Sequence, residues 1–395
     1  MNTIEKEKQY IVQTYKRQNL AVAKGKGKYL YDETGRKYLD FFAGISVCNL
    51  GHCHPKVVAA IKKQAGALIH ASNHYYAQPQ VELVEKLIKL SFPGKVFLSN
   101  SGAEANECAL KLARKWGAKQ PVKKYEVISF SNSFHGRTLL TLAATAQPKF
   151  HAGFEPMPEG FKYAEFNNLE SAAKLVGPNT AAVLVEPVQG EGGINIATKD
   201  FLAGLRKLCD DNNLILIFDE VQCGMGRTGT FYAYEQYGIV PDIVTLAKSL
   251  AGGLPLGATV ISEKYSSVFE YGDHGSTFGG NPVSCAAACA LIDAMDHKML
   301  AKVKVNGKYL LAKLNKLKAK YSFIKEVRVF GLMAACELEI SGKETVEECL
   351  AKGLLINCTQ DKVLRFLPPF IVGKKDINEA IKILDEVLST KGKVN

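Results

Sequence analysis

The sequence predicts an α/β protein with a large domain around a mostly parallel central sheet and a smaller α+β domain formed by both chain ends. Three features carry this expectation. Ala181–Val185 and Leu214–Phe218 are unbroken apolar runs and Ile243–Ala247 is a largely apolar one, the pattern of strands buried on both faces. Strand-like runs alternate with amphipathic helical segments over residues 96–261, which specifies parallel pairing through helical crossovers. From about Leu300 the alternation gives way to a Lys-rich helix and short strands. A chain of 395 residues holds more than one domain, and the expected divisions are 1–65, 66–295 and 296–395.

Each element has its own signal. Lys24-Gly25-Lys26-Gly27-Lys28 reads as a turn before Tyr29–Asp32, and Asp32–Lys37 turns again into Tyr38–Phe41, giving antiparallel hairpins. Pro55 opens a helix with Val57, Val58 and Ile61 at helical spacing, and Gln80–Leu90 repeats the pattern with Val81, Val84, Leu87 and Ile88. The strand Val96–Leu98 runs into a helix reaching about Lys119, where Ser101 and Glu104 have the spacing of a capping box. That helix start, with Gly102 in it, is either a well-capped terminus or an anion site. Strands at Glu126–Phe130 and Ala181–Val185 end in Phe134-His135-Gly136-Arg137-Thr138 and in Glu186-Pro187 with the loop Gln189–Gly193. Phe201–Cys209 is helical, and Gly272–Pro282 is a loop holding Ser276 and Thr277. Leu310, Leu311, Leu314 and Leu317 mark the Lys-rich helix. The strands Val327–Phe330 and Met333–Leu338 follow it, and two amphipathic segments flank Val363–Pro369.

Composition excludes several classes. The net charge of +11 raises the question of a polyanionic partner, but the lysines are scattered and none forms a block interleaved with aromatics. A solvated surface is expected, with no nucleic-acid partner. Ten cysteines without an extracellular framework indicate reduced thiols and a cytoplasmic protein. Their spacings match no zinc signature, and His52-Cys53-His54 lacks a second ligand pair, so no metal is expected. Met1–Tyr10 has no apolar core and no run approaches membrane-spanning length, so neither secretion nor insertion is expected.

The chemistry concentrates between Leu214 and Lys248. One apolar run ends in Asp219 and Glu220, the other in Lys248, before the glycine-rich turn Gly252–Gly257. Open α/β sheets bind ligands at the carboxyl ends of their strands, so an acid and an amine there form an active-site pattern. Burial depresses a lysine's pKa and makes it a Schiff-base former. Pyridoxal phosphate needs such a lysine at its aldehyde carbon and a carboxylate at its ring nitrogen. Taken alone, the two residues fit equally a buried ion pair beside a surface lysine. Gly224-Met225-Gly226-Arg227-Thr228-Gly229 matches the dinucleotide fingerprint GxGxxG, but Asp219 and Glu220 stand where a pyrophosphate would approach. Four residues also separate Asp219 from the first glycine, too many for the required tight turn.

Several motifs occur together in order: SNSGAEANE at 99–107, FHGRT at 134–138, EPVQGEGG at 186–193, DEVQCGMGRTG at 219–229, AKS at 247–249, GSTFGGNP at 275–282 and LRFLPP at 364–369. Over about residues 15–390 the chain resembles the class III, fold-type I pyridoxal-phosphate-dependent aminotransferases, most closely their acetylornithine branch. The resemblance implies that Lys248 is the Schiff-base lysine and proton carrier, and that Asp219 pairs with the ring nitrogen. It implies that Gln222 bonds the ring hydroxyl, Val221 and Phe134 pack the ring faces, and Ser101, Gly102 and Ala103 hold the phosphate. His135 and Glu186 also belong to the cofactor site, and Thr277 is expected from the second subunit of a homodimer with shared active sites. Arg137, Glu191, Arg365, Ile45 and Ser276 are the implied substrate residues. Arg137 would take the substrate carboxylate, while Glu191 neutralises Arg365 in one half-reaction and releases it in the other. Ile45 stands where ornithine aminotransferases tend to carry a tyrosine, and Ser72-Asn73 also fits the acetylornithine branch. The implied reaction converts N2-acetyl-L-ornithine and 2-oxoglutarate to N-acetyl-L-glutamate 5-semialdehyde and L-glutamate, in arginine biosynthesis. Rival readings are the same chemistry on another ω-amine, a nicotinamide oxidoreductase and a basic nucleic-acid binder.

Overall fold

Seven strands make the central sheet, in the spatial order Gly94–Ser99, Gly257–Ser262, Ile243–Leu246, Ile215–Asp219, Thr180–Val185, Glu126–Phe130 and Phe161–Ala164. The structure is a computed structural model that describes residues 2–392, so the outermost positions of both expected end segments lie outside the described residues. Gly257–Ser262 runs antiparallel to both its neighbours, and the other pairings in the sheet are parallel. The strands Thr180–Val185, Ile215–Asp219 and Ile243–Leu246 are buried throughout. That double-sided burial is why they read as continuous apolar runs rather than as alternating ones. Register pairs Phe218 with Val185 and Asp219 with Thr245. Glu186, Asp219, Glu220 and Lys248 therefore share the carboxyl edge of three adjacent strands.

The chain ends meet in a second sheet. Val22–Lys26, Tyr29–Asp32 and Lys37–Asp40 form antiparallel hairpins, and Leu354–Leu355 adds to them in parallel, opposite Leu39 and Asp40. A third, antiparallel sheet orders Ile324–Phe330, Met333–Leu338, Val363–Phe366 and Asn357–Thr359. The helix His297–Lys320 buries Leu310, Leu314 and Leu317, and Lys374–Leu388 buries Ile377, Ala380 and Leu384.

Three local expectations change. The first strand extends to Lys26, so the turn is only Gly27-Lys28. Gly25 is in the strand because a Cβ there would stand 2.8 Å from His52 Cβ, whereas Gly27 does turn, at φ +59°. The capping box at Ser101 is half formed. Ser101 Oγ accepts from Glu104 N at 3.2 Å, but the Glu104 carboxylate accepts from Asn100 N, one residue earlier. Thr3–Tyr10 is helical under an Asn2–Glu5 capping box that the polar composition concealed. Among the described residues no group of side chains is arranged to hold a metal ion, and no helix is long and apolar enough to cross a membrane. All ten cysteines are free thiols.

Candidate active site

Asp219 ends its strand inside a complete set of donors. Its Oδ2 accepts from Asn106 Nδ2 at 2.7 Å and lies 2.8 Å from His135 Nδ1, while Oδ1 accepts from Val221 N at 3.0 Å. Thr245 Oγ1 donates to Asn106 Oδ1 at 2.8 Å, which turns the Asn106 amide so that its N–H groups face Asp219 and the His135 carbonyl. Asn106, His135 and Asp219 are all buried, so these bonds form away from water. His135 Nε2 is buried without a partner. Beside this set, Glu186 accepts from Phe134 N and Gly190 N. Burial, and then the negative charge of Asp219, push its carboxyl well above the usual range.

Lys248 follows the neighbouring strand in the left-handed region, at φ +46°. Such a backbone is strained for any residue with a Cβ. Burial lowers its pKa, against the opposing pull of Glu191 and Asp219. Its amine donates no hydrogen bond to the described residues. Across the sheet edge, the helix Gly102–Ala118 begins with the N–H groups of Gly102 and Ala103 unmatched by any described acceptor. Gly102 approaches Val221 so closely that a Cβ would lie 2.6 Å from Val221 Cγ1. A buried carboxylate, an amine whose pKa burial lowers and an open helix start with a glycine are the donor set for a phosphorylated pyridine aldehyde. The residues present fit pyridoxal phosphate.

The two arginines expected to bind substrate differ sharply. Arg365 is buried, and its Nη1 donates to Glu191 Oε1 at 2.7 Å, to Gly190 O at 3.1 Å and to Gln222 Oε1 at 3.1 Å. Its Nε donates to Asn357 Oδ1 at 3.1 Å, and Nη2 has no partner among the described residues. Gln222 Nε2 donates to Glu191 Oε1 at 3.2 Å, so this amide braces the ion pair and keeps a second N–H for another acceptor. A Cβ on Gly190 would stand 2.0 Å from Gln222 Oε1, which explains a glycine there. Burial raises the Glu191 carboxyl, but Arg365 more than offsets it and leaves Glu191 below its usual value. Arg137 is exposed and has no acidic partner among the described residues. Its guanidinium rests 4.1 Å from the Phe150 ring centre and 5.3 Å from that of Phe134.

Ile45 lies in a short left-handed turn in which Ala43, Gly44, Ile45 and Ser46 all have positive φ. A β-branched residue is a clear outlier there. Asp40 accepts from Phe42 N and Ala43 N at 2.8 Å, and Ser46 Oγ donates to Gln222 O at 3.2 Å, which holds the turn beside the site. Ser276 and Thr277 stand apart from this cluster. Ser276 Oγ accepts from Asn100 Nδ2 at 3.0 Å, one residue before Ser101, and Thr277 faces solvent. The glycine fingerprint is filled from within. Arg227 is fully buried, donating to Ser46 Oγ, Leu332 O, Pro368 O and Asn49 Oδ1. Glu220 binds Ala233 N and Tyr234 N at 2.6 and 2.8 Å. No backbone there is open to a pyrophosphate. Asn106, Thr245, Phe150 and Gln360 were not singled out from sequence. Asn106 alone lay inside a quoted motif, and the signal for it was a polar residue on the buried face of a helix.

Residues 10–388 match the model of the class III aminotransferases. The chain is 55% identical over 390 residues to an acetylornithine aminotransferase from Methanocaldococcus jannaschii, covering 98% of each. A crystal structure of N-acetylornithine aminotransferase from Stenotrophomonas maltophilia superposes with a TM-score of 0.84 at 35% identity, covering 98% of this chain and 99% of that one. The ornithine aminotransferase of Toxoplasma gondii gives 0.93 at 33% identity, covering 98% and 94%. The carboxyl-edge acid and amine, the open helix start and full-length similarity agree: the chain belongs to the class III aminotransferases.

Proposed function

We propose that this aminotransferase moves the δ-amino group of N2-acetyl-L-ornithine to 2-oxoglutarate, giving N-acetyl-L-glutamate 5-semialdehyde and L-glutamate in arginine biosynthesis. The cofactor, pyridoxal phosphate, supplies when bound an electron sink that makes the proton on the amine-bearing carbon removable. Lys248 Nζ, kept low in pKa by burial, accepts that proton and returns it to the other side of the exchange. Asp219 presents its carboxyl group to the ring nitrogen, held in place by Asn106 and His135. Ser101 Oγ with the N–H groups of Gly102 and Ala103 receives the phosphate. Val221 and Phe134 face the ring, and Gln222 offers its remaining N–H to the ring hydroxyl.

One observation carries the substrate reading: Arg365 is closed by Glu191 while Arg137 is open. In that state a single guanidinium is ready for one carboxylate, which suits an amino acid presenting its far amino group to Lys248. Release of Glu191 would give the second carboxylate site that glutamate needs, with Arg365 on its α-carboxylate and Arg137 on its side chain. Ile45, packed against the apolar cluster of Val188 and Ile194, leaves a charged α-ammonium without a partner and so favours an acylated nitrogen. The names of the similar enzymes support the same donor.

The active unit in this reading is a cytoplasmic homodimer. Exposed Tyr271 and Phe278 lie in the same loop as exposed Thr277, and exposed Tyr75 and Tyr76 in another; a partner copy would cover them, carrying Thr277 to the other site. Residues 66–295 form the large domain, and 1–65 with 296–395 the small one, a division supported by Leu354–Leu355 completing the N-terminal sheet. Donor competition tests the substrate. N2-acetylornithine should give a higher kcat/KM than ornithine, N2-succinylornithine or 4-aminobutyrate, and a preference for any of these would overturn the reading.

A further inference from the structure

The loop that carries Glu191 has little structure of its own. Glycine precedes it and two glycines follow, with Gly193 at φ +111°. Instead, each main-chain carbonyl from Gly190 to Gly193 accepts from a side chain. Arg365 takes Gly190, Gln360 takes Glu191 at 3.0 Å, Asn195 takes Gly192 at 3.1 Å and Arg328 takes Gly193 at 2.8 Å. Three of the four donors belong to the antiparallel sheet near the C-terminus or its turns.

Gln360 differs from the others. It sits at the tip of the hairpin between Asn357–Thr359 and Val363–Phe366, the second strand of which bears Arg365. Gln360 and Asp361 both have positive φ, 49° and 63°, a tight turn formed without glycine. The same Nε2 also donates to Gln147 Oε1 at 3.2 Å, and Lys149 Nζ donates to Gln360 Oε1 at 3.2 Å. Gln147 in turn donates to Ser133 O at 2.9 Å, and Phe150, the next residue after Lys149, supports Arg137. One amide thus joins the Arg365 hairpin, the Glu191 main chain and the segment beneath Arg137.

We infer that Gln360 is a positioning residue that sets how readily Glu191 leaves Arg365, and so sets the balance between the mono- and dicarboxylate half-reactions. This rests on the charge switch proposed above. Gly190 and Gly192 are packed too closely for a Cβ, and the Gln360 bond is the one that fixes the carbonyl of the switching residue itself. Losing that bond releases Glu191 toward positions that expose Arg365, which favours glutamate over acetylornithine.

The variant Gln360→Asn tests this. Asparagine accepts a left-handed backbone well, so the turn is kept while the shorter side chain loses its reach. Two readouts are needed: the Kd of glutarate, an unreactive dicarboxylate, and the ratio of glutamate to acetylornithine single-turnover kcat/KM. Gln360→Asn should tighten glutarate and raise the ratio by about 3- to 10-fold, the worth of one net hydrogen bond. In a Glu191→Gln background, where the pair is already broken, the same change should have no further effect. Unchanged Kd and ratio, in an enzyme whose Glu191→Gln variant does shift both, would overturn the role of Gln360 and leave the switch standing. A shift of equal size in both backgrounds would also overturn it. If Glu191→Gln moves neither quantity, the switch fails and the inference fails with it.

Discussion

Arg365 Nη1 and Glu191 Oε1 are 2.7 Å apart, in an ion pair whose arginine is buried and whose acid is anchored on a glycine loop. A buried pair of this kind contributes little to stability, because desolvation offsets the attraction. In the proposed reaction its use is as a closed state that can open. Glu191→Gln should raise glutamate-side kcat/KM on the order of tenfold, the size of one charge-assisted hydrogen bond. Single-turnover rates with each amino acid measure it, and an unchanged ratio would contradict a switch.

Arg137 depends on geometry as much as on charge. Its planar group lies over Phe150 and offers two parallel donors to a carboxylate, neither of which an ammonium reproduces. Arg137→Lys should raise KM for both amino acids and lower kcat/KM on the order of 100-fold, consistent with a lost bidentate contact. The cofactor's visible band should be retained. Loss of that band would place Arg137 in the cofactor site instead.

Asn106 reaches Asp219 from a helix while Thr245 fixes its amide from the neighbouring strand. Asn106→Leu keeps the volume and removes both bonds. Cofactor Kd, measured by titration of the apoenzyme, should rise on the order of tenfold, with the far-ultraviolet circular dichroism unchanged. An unaltered Kd would show that His135 and Val221 hold Asp219 unaided.

His52 provides a pH signature away from the site. Burial opposes its charge, but the Asp40 carboxylate at 2.6 Å, aided by Cys48, raises its pKa to about 10. The folded protein therefore favours the protonated imidazole. This contribution is complete below the unfolded value near 6.5 and is lost as pH rises toward 10. The difference in Tm between wild type and His52→Gln should shrink across that window. A constant difference would mean that His52 is not charged in the folded state.

The large sheet was legible because its strands are buried on both faces, and such burial leaves an unmistakable run of apolar residues. Asp219 and Lys248 stood out for a related reason, since each closes such a run, and the structure brings both to the carboxyl edge of the sheet. What was hidden depends on distant pairing. Asn106 and Asp219 are 113 positions apart, and Gln360 and Glu191 are 169 apart. Nothing local marks a glutamine at a hairpin tip as the donor to another loop. GMGRTG matches a dinucleotide fingerprint for another reason: its glycines allow close packing around buried Arg227, where a Cβ on Gly226 would stand 2.9 Å from the Phe370 ring. Gly25 shows the same ambiguity, a strand glycine read as a turn because spacing alone cannot reveal the His52 ring against it.

The central claim is that Lys248, Asp219 and one open arginine act together on N2-acetylornithine. The most direct measurement is the visible spectrum of the purified protein before and after that amino acid is added, with no keto acid present. The expected result is loss of the cofactor's long-wavelength band, and a Lys248→Ala variant should not show that loss on the same timescale. A band that persists in the wild type while another ω-amine removes it would contradict the donor, and no band after added pyridoxal phosphate would contradict the site.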